Sequence, residues 1–128
     1  MSQRQVVPAA TPWGATVGYS RAIRAGNHIF VAGTTSVAED GSVLHPGDPY
    51  LQAKRCFDII IAALNKAGAE AANVVRTRIY ITERSHWQLV TRAHAEAMAD
   101  ARPALTLVVV AGLLDPDMLV EIEAEAVV

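Results

Sequence analysis

The sequence of 128 residues predicts a single α+β domain in which two helices pack on one face of a mixed β-sheet. Two segments, one after Asp48-Pro49 and one after Ser85, carry apolar residues at the three- and four-residue spacing of an amphipathic helix. The segments around them alternate in polarity, which is typical of strands. The predicted order is β-β-α-β-α-β-β, and no repeat or linker divides residues 1–128.

A β-hairpin is predicted near the start of the chain. The short runs Tyr19–Ala25 and His28–Thr34 flank Gly26-Asn27, a pair that favours a tight turn. Asp40-Gly41 marks a second turn. We therefore expect two adjacent antiparallel strands before the first helix.

The two helices are predicted from their ends and their apolar stripes. Asp48 can cap the first helix and Gly68 can close it in a left-handed conformation, which gives about 19 residues. Ser85 is the expected cap of the second helix, and Arg102-Pro103 ends it after about 16 residues, because the residue before proline resists helical geometry. Cys56 lies on the apolar stripe of the first helix, where a buried, inert thiol is expected.

Three further strands complete the predicted sheet. Val74–Ile81 alternates, with Arg76, Arg78 and Tyr80 on one face and Val75, Thr77, Ile79 and Ile81 on the other. Residues 104–111 are apolar at nearly every position, which indicates a strand buried on both faces. The last strand, Met118–Val127, is predicted to turn its apolar residues toward the helices.

The opposite face of that last strand carries Glu121, Glu123 and Glu125, spaced by roughly 7 Å. Arg76 and Arg78 are their expected partners if the two strands share this face. Two helices cover only one side of the sheet, so the second face of residues 104–111 needs cover from outside the chain. A homo-oligomer is the simplest source of that cover.

Composition excludes several classes of function. A formal charge of −2 indicates neither a nucleic-acid partner nor an anionic membrane partner. The first eleven residues lack the pattern of a signal peptide, and a single cysteine fits a reducing compartment, so a cytoplasmic location is expected. Four scattered histidines show no metal-binding spacing, so no metal is predicted.

Five short motifs in a fixed order resemble one known family. They are Tyr19, Ala25-Gly26-Asn27, Val31-Ala32-Gly33, Pro103-Ala104 and the closing Val120-Glu-Ile-Glu-Ala124. This set resembles the Rid family, a YjgF-type family also labelled reactive intermediate deaminase or L-PSP, over about residues 18–127 of the chain. The closing motif is the most specific of the five.

The resemblance implies a fold and an activity. Members of the Rid family are similar in fold to the barrel type of chorismate mutase and form homotrimers, with helices outside, sheets lining the barrel and small-molecule pockets between subunits. Active members hydrolyse enamines and imines to a 2-oxo acid and ammonia without cofactor or metal. The implied partners are therefore two further copies of the chain and a small-molecule ligand.

Three site positions of the family are retained. The family's tyrosine falls on Tyr19, the glycine of the pocket strand on Gly33, and the glutamate that positions water on Glu121. The resemblance implies catalytic roles for Glu121 and Tyr19. It implies no role for Glu123 and Glu125, which are expected to be solvated or ion-paired.

Other site positions differ from the family pattern. The arginine that grips the substrate carboxylate is replaced by Leu105, a cysteine by Leu107, a serine by Ala32, and an asparagine of the second helix by Thr91. Leucine offers no hydrogen-bond donor, and loss of such a charge-assisted contact costs ~2–5 kcal/mol for an amino-acid-derived imine.

Arg21 is the preferred substitute cation, since on a strand it shares the face of Tyr19. The alternative role for this arginine is that of a surface cation on the strand or of an ion-pair partner of a glutamate. Two functions then remain: a cofactor-free hydrolase of enamines or imines, or a trimer that binds a small metabolite without catalysis.

Overall fold

The computed structural model describes residues 4–128 and has one six-stranded sheet as its framework. The strands lie in the order β1-β2-β3-β6-β4-β5. Only β4 and β5 are parallel; the other neighbours are antiparallel. The strands are β1 (Arg4–Pro8), β2 (Ser20–Ala25), β3 (His28–Thr34), β4 (Val74–Ile81), β5 (Ala104–Val109) and β6 (Val120–Val127), and the two α-helices are α1 (Pro49–Lys66) and α2 (Trp87–Ala97).

Helix α1 has the start and end that the sequence predicts. The Asp48 carboxylate accepts a hydrogen bond of 2.9 Å from the Leu51 N–H, which satisfies one of the free donors of the first turn. Gly68 has φ +87°, a conformation that glycine adopts without steric cost. Phe57 and Cys56, both on the apolar stripe, are fully buried against the sheet. The predicted first helix, with its buried cysteine, is confirmed.

Helix α2 is shorter than predicted, with 11 residues instead of about 16. Ser85 makes no cap; it lies within a short 3₁₀ turn, Arg84–His86, that precedes the helix. At the other end the chain leaves the helix at Ala97 and continues through a turn to Arg102, which has φ +46°. The N–H of Arg102 donates to the Met98 carbonyl at 2.9 Å. The prediction that Arg102-Pro103 ends this helix is wrong, because the helix already ends at Ala97 and a turn separates it from Pro103.

The two faces of the sheet differ as the alternation in β6 predicts. Val120, Ile122, Ala124 and Ala126 are buried beneath the helices. We call the opposite side the open face; it carries Glu121, Glu123 and Glu125 of β6 and Arg76, Arg78 and Tyr80 of β4. Strand β6 begins at Val120 and not at Met118, because Met118 closes the preceding turn through a hydrogen bond to Asp115.

One residue of β4 lies on the face opposite to the predicted one. The register with β6 shifts between Val74 and Arg76, so Val75 is bulged out and 47% exposed, whereas Val74 is buried. The prediction that Val75 shares the face of Thr77 is wrong, because the bulge inserts one extra residue into the alternation. Beyond the bulge, Arg76 to Ile81 alternate as predicted.

The two edge strands also differ from the predictions. Strand β1 adds a sixth strand before the predicted hairpin, and its Val7 is the one buried side chain in it. Strand β5 pairs only with β4, and Leu105, Val108 and Val109 are 39–48% exposed in the single chain. The prediction that this strand is buried on both faces is therefore wrong for the isolated chain. Within residues 4–128, no helix is both long and apolar enough to cross a membrane.

Candidate functional site

The Glu121 carboxylate lies against a β-bulge in β3. The register between β3 and β6 shifts between Val31 and Thr34, so two residues, Ala32 and Gly33, stand opposite the single residue Glu123. A Cβ atom on Gly33 would overlap with Oε2 of Glu121. Glycine at this position therefore leaves the space that the carboxylate occupies.

Arg21 of β2 ties the two bulged residues together. Its Nη2 donates to the Ala32 carbonyl at 2.9 Å and to the Gly33 carbonyl at 2.8 Å. Nε of Arg21 is shielded from solvent and has no hydrogen-bond partner within residues 4–128. The guanidinium carbon lies 6.0 Å from the centre of the Tyr19 ring, and the Tyr19 hydroxyl is 3.3 Å from Oγ1 of Thr11. The structure thus brings Tyr19, Arg21, Ala32, Gly33 and Glu121 together.

Burial and charge adjust the acidity of this cluster. Burial raises the pKa of Glu121, the neighbouring Glu123 raises it further, and Arg21 opposes both effects. Burial lowers the pKa of Arg21, although arginine remains protonated at any physiological pH. A carboxyl whose pKa is moved toward neutrality can exchange protons with water or a ligand during a reaction.

The other two glutamates of the open face are engaged with β4. Nη1 of Arg78 lies 3.2 Å from Oε1 of Glu125 and 3.8 Å from Oε1 of Glu123. The Tyr80 hydroxyl also donates to Glu123, and this bond raises the pKa of Tyr80. Arg78 is thereby confirmed as a partner of the glutamates. Within the described chain, Glu121 has no ion pair.

Arg76 does not pair with a glutamate. Its Nη2 donates to Oγ1 of Thr106 at 3.1 Å, although Glu125 is its cross-strand neighbour. The expectation that Arg76 neutralises the glutamates is wrong in the single chain, because the guanidinium turns toward β5. Arg78 alone makes that contact among the residues described.

Leu105 and Leu107 lie away from Glu121. They pair with Thr77 and Ile79, two buried residues of the helix-covered face, whereas Glu121 stands on the open face. Strand β4 also separates β5 from β6. Leu105 instead borders a groove of about 530 Å³ at the end of α2, together with His94, Met98 and Arg102. A single chain therefore does not unite all the predicted site residues.

Two side chains of α2 have local partners. The Thr91 hydroxyl donates to the Trp87 carbonyl of its own helix at 2.8 Å. Nε2 of His94 is 2.7 Å from Oγ1 of Thr77, the ring stands edge-on to Phe57, and burial lowers the pKa of His94. His94 is thus a buried packing residue at the rim of the groove.

Gln52 is a contributor to the site region that the sequence analysis did not identify. This fully buried side chain of α1 accepts from the Leu119 N–H at 2.9 Å and donates to the Asp117 carbonyl at 2.8 Å and to the His45 carbonyl at 3.1 Å. It anchors the segment that leads into Glu121. The sequence does contain a signal for this role, because Gln52 is a polar residue within the otherwise apolar stripe of α1.

Comparison with known proteins identifies the family. The model of the family described as Endoribonuclease L-PSP matches residues 10–128. The chain belongs to this family. The L-PSP assignment confirms the predicted Rid resemblance, because the relatives and structures matched carry the RutC, YjgF and RidA names.

Within residues 4–128, no group of three or more His, Cys, Asp or Glu side chains could hold a metal ion.

Relatives of this L-PSP chain extend over most of its length. An uncharacterised protein of Streptomyces coelicolor is 39% identical over 121 residues, which cover 94% of this chain and 89% of that protein. A RutC family protein of Pyrococcus abyssi is 34% identical and covers 84% of each chain. A crystal structure of a YjgF/YER057c/UK114 family member from Mycobacterium tuberculosis is 41% identical, with a TM-score of 0.89 over 98% of this chain and 100% of that one.

Proposed function

We propose that this L-PSP chain forms a homotrimer that binds a small metabolite between subunits and hydrolyses an enamine or imine without a cofactor. One observation carries the proposal: the Glu121 carboxylate rests on Gly33, is half-buried without an ion pair among the described residues, and has its pKa raised by burial. Such a carboxyl is suited to hold and deprotonate a water molecule.

The proposed reaction needs only water and proton transfer. The imine reacts in its N-protonated form: Glu121 accepts a proton from water as the water oxygen bonds to the imine carbon, and the C=N π electrons move to nitrogen, which gives a neutral carbinolamine. Glu121 then returns this proton to nitrogen, the C–N bond breaks as ammonia leaves, and loss of the hydroxyl proton to water gives the carbonyl compound. Tyr19 shapes the pocket wall, and the main chain of Ala32 and Gly33 lies beside the bound molecule.

A second subunit is required because the predicted site residues lie on opposite faces of the sheet. Leu105 and Leu107 of β5 have exposed surface at the sheet edge, while Glu121 occupies the open face two strands away. We propose that β5 and Thr91 of one subunit approach the Glu121 cluster of its neighbour. The pocket then combines an apolar wall at Leu105 with a polar wall at Glu121.

Leu105 sets the proposed substrate class. An apolar side chain at this wall favours a substrate without a carboxylate there, since burying an unpaired carboxylate against leucine is costly. The Arg21 guanidinium is the proposed anchor for a polar or anionic group at the opposite wall, through Nη1, since Nη2 serves the carbonyls of Ala32 and Gly33 and Nε is shielded from solvent. The alternative function, a trimer that binds a metabolite without catalysis, is favoured by the same Leu105.

The test is hydrolysis of freshly generated imines by the purified protein. One substrate carries a carboxylate, 2-iminobutanoate, and the other lacks it, an imine formed from a primary amine by an amine oxidase. We expect faster ammonia release than in buffer for the carboxylate-free imine, and a loss of about 10²-fold in Glu121→Gln. Glu125→Gln, on the same strand and face, is the matched control and is expected to retain activity.

Leu105→Arg tests the cause of the substrate preference. If a missing arginine explains it, this variant gains activity on 2-iminobutanoate that the original protein lacks. No acceleration of either imine by the original protein, with the assembly intact, would contradict the proposed hydrolysis.

A further inference from the structure

Arg21 and the β-bulge form a single hydrogen-bonded unit. A bulge removes carbonyl groups from the regular ladder, and these groups need other donors. Nη2 of Arg21 serves both bulged carbonyls, that of Ala32 at 2.9 Å and that of Gly33 at 2.8 Å. The Ala32 carbonyl also accepts from the Thr34 hydroxyl at 2.8 Å. The conformation of the bulge therefore depends on the arginine beside it.

The bulge in turn supports the Glu121 carboxylate. Oε2 of Glu121 occupies the space beside the Gly33 Cα that a side chain would otherwise fill. A shift of this backbone moves the surface on which the carboxylate rests. Arg21 thus affects Glu121 in two ways. It fixes the Gly33 backbone on which the carboxylate rests, and its positive charge favours the ionised carboxylate.

The charged and titratable groups around Glu121 come from four elements. Glu123 lies along β6, Tyr80 is the cross-strand neighbour on β4, and the buried, neutral Cys56 thiol of α1 has its pKa raised by burial and by the charge of Glu121. Arg21 of β2 is the one cation in this group, and it favours the ionised form of Glu121. Glu123 and the surrounding burial favour the neutral form.

We infer that Arg21 is a positioning residue for Glu121: it holds the bulge on which the carboxylate rests and supplies the positive charge beside it. This inference builds on the proposed function, in which Glu121 acts on water as a base. Its consequence is that Arg21 both places the carboxylate and favours its ionised form over the neutral one.

Arg24 provides a matched control on the same strand. It points to the helix-covered side and, like Arg21, donates to two carbonyls, those of Gly26 at 2.9 Å and Ala67 at 2.8 Å. Its removal costs a comparable number of hydrogen bonds. Arg24 does not contribute to the pKa of Glu121.

The experiment follows the side-chain carboxyl carbon of Glu121 by NMR in protein labelled with ¹³C-glutamate, with the signal assigned from Glu121→Gln. In Arg21→Met we expect the titration midpoint of Glu121 to move to higher pH, because the cation that favours the carboxylate is gone. In Arg24→Met the midpoint is expected to stay where it is, even if the midpoint of thermal unfolding falls as much. This measurement needs no substrate, so it stands apart from the test of catalysis.

Two further variants separate charge from hydrogen bonding. Arg21→Lys retains the charge but not the fork that serves both carbonyls, so its Glu121 midpoint should stay nearer to that of the original protein. Arg21→Gln retains one donor group, serves as the second variant if Arg21→Met does not fold, and should move the midpoint upward as well. If the protein hydrolyses an imine, the acidic limb of the pH–rate profile in Arg21→Met and Arg21→Gln should move to higher pH by the same amount as the Glu121 midpoint.

An unchanged Glu121 midpoint in folded Arg21→Met or Arg21→Gln, with stability lowered as in Arg24→Met, would overturn the inference. Arg21 would then be a structural clamp only. A shifted midpoint in a protein that hydrolyses no imine would instead support the positioning role and contradict the proposed catalysis.

Discussion

Gly33 is the residue that decides where the Glu121 carboxylate lies. It is not in a left-handed conformation, so its role is to leave space and not to relieve backbone strain. The neighbouring carboxylate oxygen takes the volume of the missing side chain. The site therefore depends on the absence of one methyl group at the bulge.

Gly33→Ala is expected to displace the Glu121 carboxylate. The added methyl overlaps with Oε2, and the flexible glutamate side chain moves more readily than the backbone of the sheet. A misplaced catalytic group costs about 10²-fold in rate, while global stability changes little if the side chain yields. The measurements are imine hydrolysis and the midpoint of thermal unfolding.

Gly112→Ala is the control for that substitution. A Cβ at Gly112 meets no atom within 4 Å, and its φ is not positive, so the methyl group enters open space. This variant should match the original protein in rate and stability. Equal activity in Gly33→Ala and Gly112→Ala would contradict the placement of Glu121 over Gly33.

At the scale of the elements, local signals predicted the ends of α1, whereas strand pairing decided where the bulges of the sheet lie. Asp48, Pro49 and Gly68 act on their immediate neighbours, so the ends of α1 could be predicted from the sequence. The bulges at Val75 and at Ala32 could not, because each arises from the partner strand β6. Alternation alone does not reveal an extra residue in the register.

Part of the side-chain cluster around Glu121 could be predicted from the sequence, but its arrangement could not. The resemblance pointed to Tyr19, Gly33 and Glu121, and the structure brings them together. Arg21 was proposed as an anion anchor from its position on a strand, yet its Nη2 is committed to two carbonyls. Only the register of β3 could show that these carbonyls need a donor.

Gln52 links α1 to the start of β6, and Gln52→Leu tests that link. The substitution preserves the apolar packing but leaves the Leu119 N–H and the carbonyls of Asp117 and His45 without their side-chain partner. Unsatisfied buried groups cost about 1–3 kcal/mol each, and relaxation recovers part of this, so we expect a loss of about 2–4 kcal/mol in the free energy of unfolding. Denaturant unfolding measures it.

Gln88→Leu on the exposed side of α2 is the control for Gln52→Leu. An exposed glutamine that makes no side-chain hydrogen bond in the described chain is expected to contribute within about 0.5 kcal/mol. If both variants unfold at the same denaturant concentration, the three hydrogen bonds of Gln52 do not anchor the segment before β6.

At the scale of the whole molecule, the open face combines charged and apolar regions. Its centre carries the ladder of Arg78, Glu123 and Glu125, and toward β1 it exposes Val6 and Phe30, 52% and 46% accessible. Exposure of apolar side chains to water is unfavourable, both at Val6 and Phe30 and along the edge strand β5. Contact between copies of the chain would bury both surfaces at once. The same contact is what unites Leu105 with Glu121 in the proposed pocket.

The predicted trimer can be tested with one substitution on the open face. Phe30 is the cross-strand neighbour of Glu125, so Phe30→Asp removes an apolar contact and places a second carboxylate beside the first. We expect light scattering to give three times the 13.7 kDa chain mass for the original protein and a smaller mass for Phe30→Asp. Leu89→Asp changes a similarly exposed apolar residue of α2 and should leave the mass unchanged, because Leu89, two residues from Thr91, points to nearly the opposite side of the helix from the one placed in the proposed pocket. If the pocket needs two subunits, imine hydrolysis falls with the trimer in Phe30→Asp although Glu121 and Gly33 are intact. A monomeric mass of the original protein at micromolar concentration would contradict the trimer, and with it a pocket shared between subunits.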